Sequence, residues 1–415
     1  MSFKVFKNTV LLFVLVLISC GNSNKSEDGS KKLEANNTLE RDIIVGANRT
    51  SEYLPLLNGK RVGIVANQTS VIFKVERQKT EDRSYTHIVD SLMALNIDVK
   101  KVFSPEHGFR GTADAGEHVE DGIDKKTKLP IVSLYGNNKK PSAKELEGLD
   151  IMVFDIQDVG VRFYTYISTL HYIMEACAEN NIPLIVFDRP NPNGNYVDGP
   201  TLEKEHQSFL GMHPIPLVHG MTIGEYAKMI NGEKWLTNGI QCDIKVIEMT
   251  DYWHSRNYNL PIRPSPNLPN DQSIKLYPSL GLFEGTNVNA GRGTEFQFQR
   301  YGAPFLNPET MTFTYTPQSN FGAKYPKHKD KLCYGEDLST AEVNNEMTLI
   351  WIIKAYKNST DKSKFFLTDG FTKHAGTTAL QKQIEAGMSE ADIKATWQKD
   401  LENFKITRAK YLIYN

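Results

Sequence analysis

Four short apolar runs in this chain each end in side chains able to do chemistry. Arg61–Ala66 is followed by Asn67-Gln68-Thr69, and Val99–Phe103 by Ser104-Pro105-Glu106-His107-Gly108. Ile151–Ile156 leads into Gln157, Asp158 and, a little later, Arg162. Pro183–Phe187 leads into Asp188-Arg189-Pro190-Asn191-Pro192-Asn193-Gly194. In an open parallel sheet, ligands bind outside the carboxyl ends of the strands. Four such ends would bring carboxylates, amides and guanidinium groups to one rim. Loops of this kind are polar in any case, and Asn-Pro-Asn-Gly is a turn by composition. The coincidence of all four is what argues for a site.

A second rich segment runs from Tyr277 to Glu295 and carries Glu284, Asn287, Arg292 and Glu295 among small residues that let backbone approach a ligand. The plain structural alternative is a Gly-rich connection in which Glu284 pairs with an arginine.

Absences narrow the ligand. No G-x-G-x-x-G follows the first run and no G-x-x-x-x-G-K-[ST] occurs, so a dinucleotide or ATP site is not expected. No G-x-S-x-G is present, which counts against a serine nucleophile on an elbow. Ser359-Thr360-Asp361-Lys362 matches S-x-x-K without its companion motifs. Glu106, His107, Glu117 and His118 cluster in sequence, but H-E-x-x-H is missing, so hydrogen bonding is expected of them and no metal or cofactor. Lys plus Arg number 48 against 49 Asp plus Glu, which removes the electrostatic case for nucleic acid.

Two carboxylates from different segments facing one polar pocket suit glycoside hydrolysis, one protonating the leaving oxygen while the other activates water or attacks the anomeric carbon. Glu106 and Glu284 are the expected pair. Arginines and amides, with Phe109, Tyr164 and Tyr166 nearby, suit a sugar bearing an N-acetyl group and a carboxylate.

The elements that must hold these groups alternate. Between the β-branched runs lie helical stretches, with His87, Ile88, Ser91, Leu92 and Leu95 on one face, and Tyr166, Ile167, Leu170, Ile173, Met174 and Cys177 on another. The pattern predicts an α/β protein: a Rossmann-like, doubly wound parallel sheet over 41–200, followed by a smaller α/β or α+β auxiliary domain over 201–415. The boundary is expected near Gly199-Pro200. Further helices are expected over Thr222–Ile230, Glu342–Tyr356 and Ser389–Tyr411, the last opened by Ser389-Glu390-Ala391-Asp392.

Residues 1–20 read as a secretory leader, with Lys4 and Lys7 ahead of a Val10–Ile18 apolar run too short to span a bilayer. Its end, Leu17-Ile18-Ser19-Cys20, has the form of a lipobox with Cys20 as the lipidated residue. Residues 21–40 hold almost nothing apolar and are expected to be a solvated tether. The expected location is the cell envelope of a Gram-negative bacterium, periplasmic face or cell surface, with membrane contact through the lipid alone. Cys177, Cys242 and Cys333 are too few for a disulfide framework and read as small buried hydrophobes.

The runs Ser104–Gly111 (SPEHGFRG), Phe154–Tyr166 (FDIQDVGVRFYTY), Arg263–Asn267 (RPSPN) and Phe283–Thr286 (FEGT) resemble, in order, the exo-β-N-acetylmuramidases of glycoside hydrolase family 171. The likeness spans nearly all of 42–413. It implies a Rossmann-like domain plus an auxiliary domain with the site between them, and release of N-acetylmuramic acid from the non-reducing end of peptidoglycan-derived glycans. It implies that Glu106 is the catalytic acid/base and that Glu284 is the second carboxylate, with Glu295, Asp158 and Asp188 in reserve. The second carboxylate could instead orient the 2-acetamido group. Arg162, Arg189 and Arg292 are candidates to hold the lactyl carboxylate, and Asn67, His107, Gln157, Tyr164 and Asn287 to bind substrate. A non-catalytic glycan-binding lipoprotein is the alternative reading.

Overall fold

The computed structural model describes residues 41–74, 84–111 and 121–415. The leader, the tether with Cys20, and Glu117 and His118 lie outside these residues. The strands are β1 (Arg61–Ala66), β2 (Val71–Phe73), β3 (Tyr85–His87), β4 (Asp98–Ser104), β5 (Gly122–Ile123), β6 (Pro130–Ser133), β7 (Ile151–Asp155), β8 (Leu184–Phe187), β9 (Ile244–Ile247), β10 (Arg300–Ala303), β11 (Phe313–Tyr315) and β12 (Cys333–Asp337).

Among the described residues, seven strands form one sheet in the order β5-β6-β4-β1-β7-β8-β9, parallel except for β5 at its edge. Counted along the chain, the parallel strands lie 3-2-1-4-5-6, the doubly wound order. The order reverses between β1 and β7, so the crevice opens beside Asn67 and the Asp155–Asp158 segment.

The strands are apolar on both faces because both are covered. Val62 and Ile64 of β1, Val153 of β7 and Ile185 of β8 join one core with Tyr53, Leu57, Ile88 and Leu92. Those last four come from α1 (Thr50–Leu57) and α2 (Ile88–Ala94). The alternating residues Val65, Met152, Phe154, Leu184 and Val186 face the other core. There they meet α3 (Ala143–Leu146), α4 (Tyr166–Glu179) and α5 (Ile223–Gly232). Each fully buried Leu or Ile in α4, such as Leu170 and Ile173, contributes roughly 1.5–3 kcal/mol by leaving water.

The second core does not stop at α5. It continues into α6 (Asp271–Leu280), α7 (Ile350–Lys357), α8 (Thr368–Ala375), α9 (Ala379–Glu385), α10 (Glu390–Ala395) and α11 (Gln398–Ala409) through Leu280, Phe283, Phe371 and Trp397. The small antiparallel sheet β10-β12-β11 joins the same cluster through Tyr301 and Ala303. One continuous apolar core therefore ties the C-terminal half to the α4/α5 face.

The sheet runs past the boundary expected near Gly199-Pro200, since α5 and β9 both complete it. That sixth parallel strand was not among the expected ones; Ile244–Ile247 is interrupted by exposed Lys245 and only Ile247 is buried. The helix expected over Glu342–Tyr356 starts only at Ile350, because residues 342–346 are largely exposed and have no face to bury. The stretch 389–411 is two helices, and Ile393, Trp397 and Leu401 along it are all buried. Its start is as expected, with the Ser389 hydroxyl accepting from the Asp392 amide at 3.2 Å. The three cysteines of the described residues are buried and free.

Candidate active site

Glu106 sits on the turn that leaves β4. His107 and Gly108 both take left-handed backbone, and the Gly108 amide closes the turn on the Pro105 carbonyl at 3.1 Å. The carboxyl group is half-buried and oriented at both oxygens. Tyr135 donates its hydroxyl to Oε1 at 3.0 Å, and Thr165, at the start of α4, donates to Oε2 at 3.0 Å. The Tyr166 hydroxyl lies 3.4 Å from the Glu106 carbonyl and accepts from Asn67 Nδ2 at 2.9 Å. Asn67 is itself fixed, its Oδ1 taking the Thr69 amide and hydroxyl at 2.9 and 2.6 Å. The carboxylate is thus held by residues that follow β6 and β7, while Asn67 at the end of β1 reaches only the Glu106 backbone, through Tyr166.

The opposite side is built from the C-terminal half. The turn after β4 touches it directly, with His107 Nε2 3.0 Å from the Ser265 hydroxyl. Tyr164 donates to the Pro264 carbonyl at 2.7 Å and packs edge-on against Tyr166 and Tyr277. Tyr277 belongs to α6, and its phenol is raised by burial, then by the charges of Glu284 and Glu106. The Tyr277 ring packs edge-on against Tyr164 and Phe163.

Glu284 lies on the short helical turn Gly281–Gly285, against which α8 packs. Arg292 Nη1 meets its Oε2 at 3.0 Å. Lys327 Nζ donates to the carbonyls of Phe283, Glu284 and Thr286 at 3.0, 3.0 and 2.6 Å, so a cation pins the turn from behind. Burial alone would raise the Glu284 carboxyl, but Arg292, Lys327 and His374 outweigh it and hold it below the ordinary glutamate value. Glu284 is therefore ionised.

The structure separates the remaining candidates. Arg162 does not face a ligand. It is fully buried, with Nη1 donating to the carbonyls of Pro200 and Ile215 and Nη2 to those of His374 and Ala375, at 2.6–3.1 Å. It works as a clamp between the loop after β7 and the end of α8. Arg189 is likewise committed, forking onto Asp155 at 2.7 and 3.0 Å inside the fold. Asp188 is buried under α5 and receives Thr222, Tyr414 and the Gly224 amide. Gln157 binds the carbonyls of Asp158 and Pro190. Asn287 is spent on backbone, donating to the Lys364 carbonyl. Glu295 is exposed on a loop. None of these six offers a free face to a shared pocket with Glu106.

Asp158 is different. It is buried, accepts the Gly160 amide at 2.7 Å, and its charge acts on Tyr164, Tyr166 and Tyr277. Only glycine fits at 160, where φ is +76° and a Cβ would collide with the Asn191 carboxamide. Burial is what chiefly raises the phenols of Tyr164, Tyr166 and Tyr277, and the Asp158 charge adds to it. The side chains that complete the site without having been singled out for it are Tyr135, Thr165, Ser265, Tyr277, Lys327 and His374. Ser265 and Tyr277 stand within segments already notable in the sequence; Tyr135, Lys327 and His374 carry no local signal.

A family model described as "Exo-beta-N-acetylmuramidase NamZ, N-terminal" matches residues 62–272, and its C-terminal counterpart matches 275–414. The peptidoglycan beta-N-acetylmuramidase NamZ of Bacillus subtilis (strain 168) is 41% identical over 383 residues, covering 88% of this chain and 89% of that protein. Two crystal structures of DUF1343 family proteins from Bacteroides fragilis NCTC 9343 superpose with TM-scores of 0.81 and 0.75, at 44% and 28% identity. Each covers 90% of this chain and 99% of the solved one.

Proposed function

From the premise that the chain belongs to the NamZ family of exo-β-N-acetylmuramidases, as both family models and the Bacillus subtilis relative establish, we propose a division of labour between Glu106 and Glu284. The enzyme is a glycoside hydrolase acting on peptidoglycan-derived glycans, from which it releases N-acetylmuramic acid at the non-reducing end.

Glu106 is the acid/base. It hands a proton to the glycosidic oxygen as the bond from the anomeric carbon breaks, and the water whose oxygen then bonds to that carbon returns a proton to the Glu106 carboxylate. The Tyr135 and Thr165 hydroxyls fix the carboxyl plane for that transfer. Glu284, kept ionised by Arg292 and Lys327, does not give up a proton. It supplies fixed negative charge for the cationic transition state or for orienting the 2-acetamido group. Two carboxyl groups with such different surroundings are suited to different roles. The observation that supports the reading is the Glu106 carboxyl on the sheet rim, oriented at both oxygens by the Tyr135 and Thr165 hydroxyls.

Of Arg162, Arg189 and Arg292 only Arg292 is partly exposed, so it is the one we propose for the lactyl carboxylate, beside its pairing with Glu284 at 3.0 Å and with the Gly322 carbonyl at 3.2 Å. Its Nε is buried with no hydrogen-bond partner. We also place the enzyme in the cell envelope, lipid-anchored through Cys20, on the strength of the leader and lipobox sequence.

The test is hydrolysis of N-acetylmuramyl-β-1,4-N-acetylglucosamine, with both sugars quantified. Glu106→Gln should retain sugar binding and lose at least about 10²-fold in kcat. Undiminished turnover by that variant removes the assignment. Binding without turnover by the unaltered protein would instead mark a glycan-binding lipoprotein.

A further inference from the structure

Two of the three buried cysteines meet. Cys177 lies in the last turn of α4 and Cys242 just ahead of β9, and they are only 1% and 4% exposed. Both belong to the core on the α4/α5 face of the sheet. A hydrogen bond to the Cys242 thiol, and then burial, hold the Cys177 thiol well above its ordinary value. The backbone behind each sulfur is fixed. The Asn231 carboxamide, in α5, grips Cys242 twice, accepting its amide at 3.0 Å and donating to its carbonyl at 2.7 Å. The Cys177 carbonyl accepts the Ile182 amide at 2.9 Å, and the Leu184 amide donates to the Asp243 carbonyl at 2.8 Å. The Cys242 thiol is directed at that same Asp243 carbonyl, at 3.9 Å. The turn after α4 and the approach to β9 are thus laced together around two facing thiols. Cys333 stands apart from them, on β12 of the small sheet.

A facing pair of this kind stays reduced in a cytoplasm, whereas outside it disulfides form and persist. We propose that Cys177 and Cys242 become joined by a disulfide when the chain folds outside the cytoplasm. The proposal rests on the leader read at residues 1–20.

The oxidant is the disulfide of a thiol–disulfide oxidoreductase. The thiolate of one cysteine attacks it, forming a mixed disulfide and expelling one oxidant thiolate. The thiolate of the other cysteine then attacks the first cysteine's sulfur and expels the second oxidant thiolate. The two expelled thiolates take up the two protons that Cys177 and Cys242 lose, and two electrons pass from the chain to the oxidant. The exchange precedes burial, because the thiolate is the nucleophile and an apolar core disfavours it. Once closed, the bond is out of reach of soluble thiols. It ties the end of α4, whose start carries Thr165, to the strand that completes the sheet. Closing so long a loop restricts the unfolded chain and shows as stability.

The experiment compares the chain exported with its leader and the chain lacking residues 1–20 made in a reducing cytoplasm. Each is denatured, its free thiols are blocked with iodoacetamide, and it is digested without reductant. The exported chain should yield the Cys177 and Cys242 peptides as one linked species that reduction separates, with Cys333 alkylated. The cytoplasmic chain should yield all three cysteines alkylated. Unfolded and refolded with oxidised glutathione, that same chain should gain the link and melt about 3 °C or more higher. Cys242→Ala should abolish that gain. Cys177 and Cys242 alkylated after the oxidative refolding, or a link through Cys333, overturn the pairing. A link after refolding but free thiols in the exported chain overturns the disulfide as a feature of the protein in the cell, and with it the oxidising destination read from the leader.

Discussion

Arg292 and Glu284 are joined by a 3.0 Å ion pair, each about three-quarters covered, on a turn whose backbone carbonyls are gripped by Lys327. The pair sets the charge of the C-terminal wall of the site. With Lys327 and His374, Arg292 holds that carboxyl below the ordinary glutamate value, against the upward pull of burial.

Glu284→Gln keeps the shape and removes that anion. Turnover of the disaccharide is expected to fall by at least about 10-fold, and folding stability by about 1–3 kcal/mol as Arg292 loses its charged partner. Steady-state kinetics beside a urea melt would separate the two effects. Full activity with lowered stability would reduce Glu284 to a structural role. The sign with pH follows from its lowered value: the stabilisation is complete above the ordinary glutamate pKa and disappears as acid carries the solution down through the folded one.

Arg162→Lys tests the clamp. A lysine cannot reach four carbonyls in a planar fork, so about 3 kcal/mol or more of stability should be lost. The carbonyls at stake include those of His374 and Ala375 at the end of α8. Among molecules still folded at low temperature, KM for the disaccharide should change little. A large rise in KM with an unchanged melting temperature would return Arg162 to the substrate.

Buried histidines predict acid sensitivity above the range where carboxylates titrate. Burial holds His87 down at about 4, and burial and then His171 hold His213 well below its ordinary value. Unfolded histidines take a proton near 6.5, whereas these do not. Stability is therefore complete above that value and should decline by roughly 1.4 kcal/mol per pH unit for each such histidine as pH drops below it. Melting temperatures recorded at pH 7.5, 6.5, 5.5 and 4.5 should show a decline that sets in near 6.5. A flat profile down to pH 5 would contradict it.

Cys20→Ala removes the thiol that a lipid would occupy. The protein should move from the detergent phase to the aqueous phase on fractionation, with activity of the soluble form unchanged within about twofold. Continued partition into detergent would show that something other than Cys20 holds it.

The sheet was legible because its strands are β-branched runs of the right length, and alternation between them allows little besides a covered parallel sheet. Glu106 stood out as a candidate through its place in the Ser104–Gly111 run, whereas Asp188, directly after β8, looked alike in sequence and turns inward. The arginines were not legible. A guanidinium in a strand-end loop reads the same whether it waits for a ligand or, like Arg162, collects the carbonyls of segments 38 to 213 residues away.

By itself the sequence determined the strand order's raw material, the polar rim, the lipobox and the absence of nucleotide and serine-elbow motifs, all of which depend on neighbours in the chain. Only the tertiary structure decided that Tyr135 and Thr165 orient Glu106, that Lys327 and Arg292 hold Glu284 ionised, and that Arg189 and Asp188 turn inward. Those outcomes depend on which distant groups share a desolvated space, and desolvation and pairing are properties of the packed fold, not of any stretch of residues.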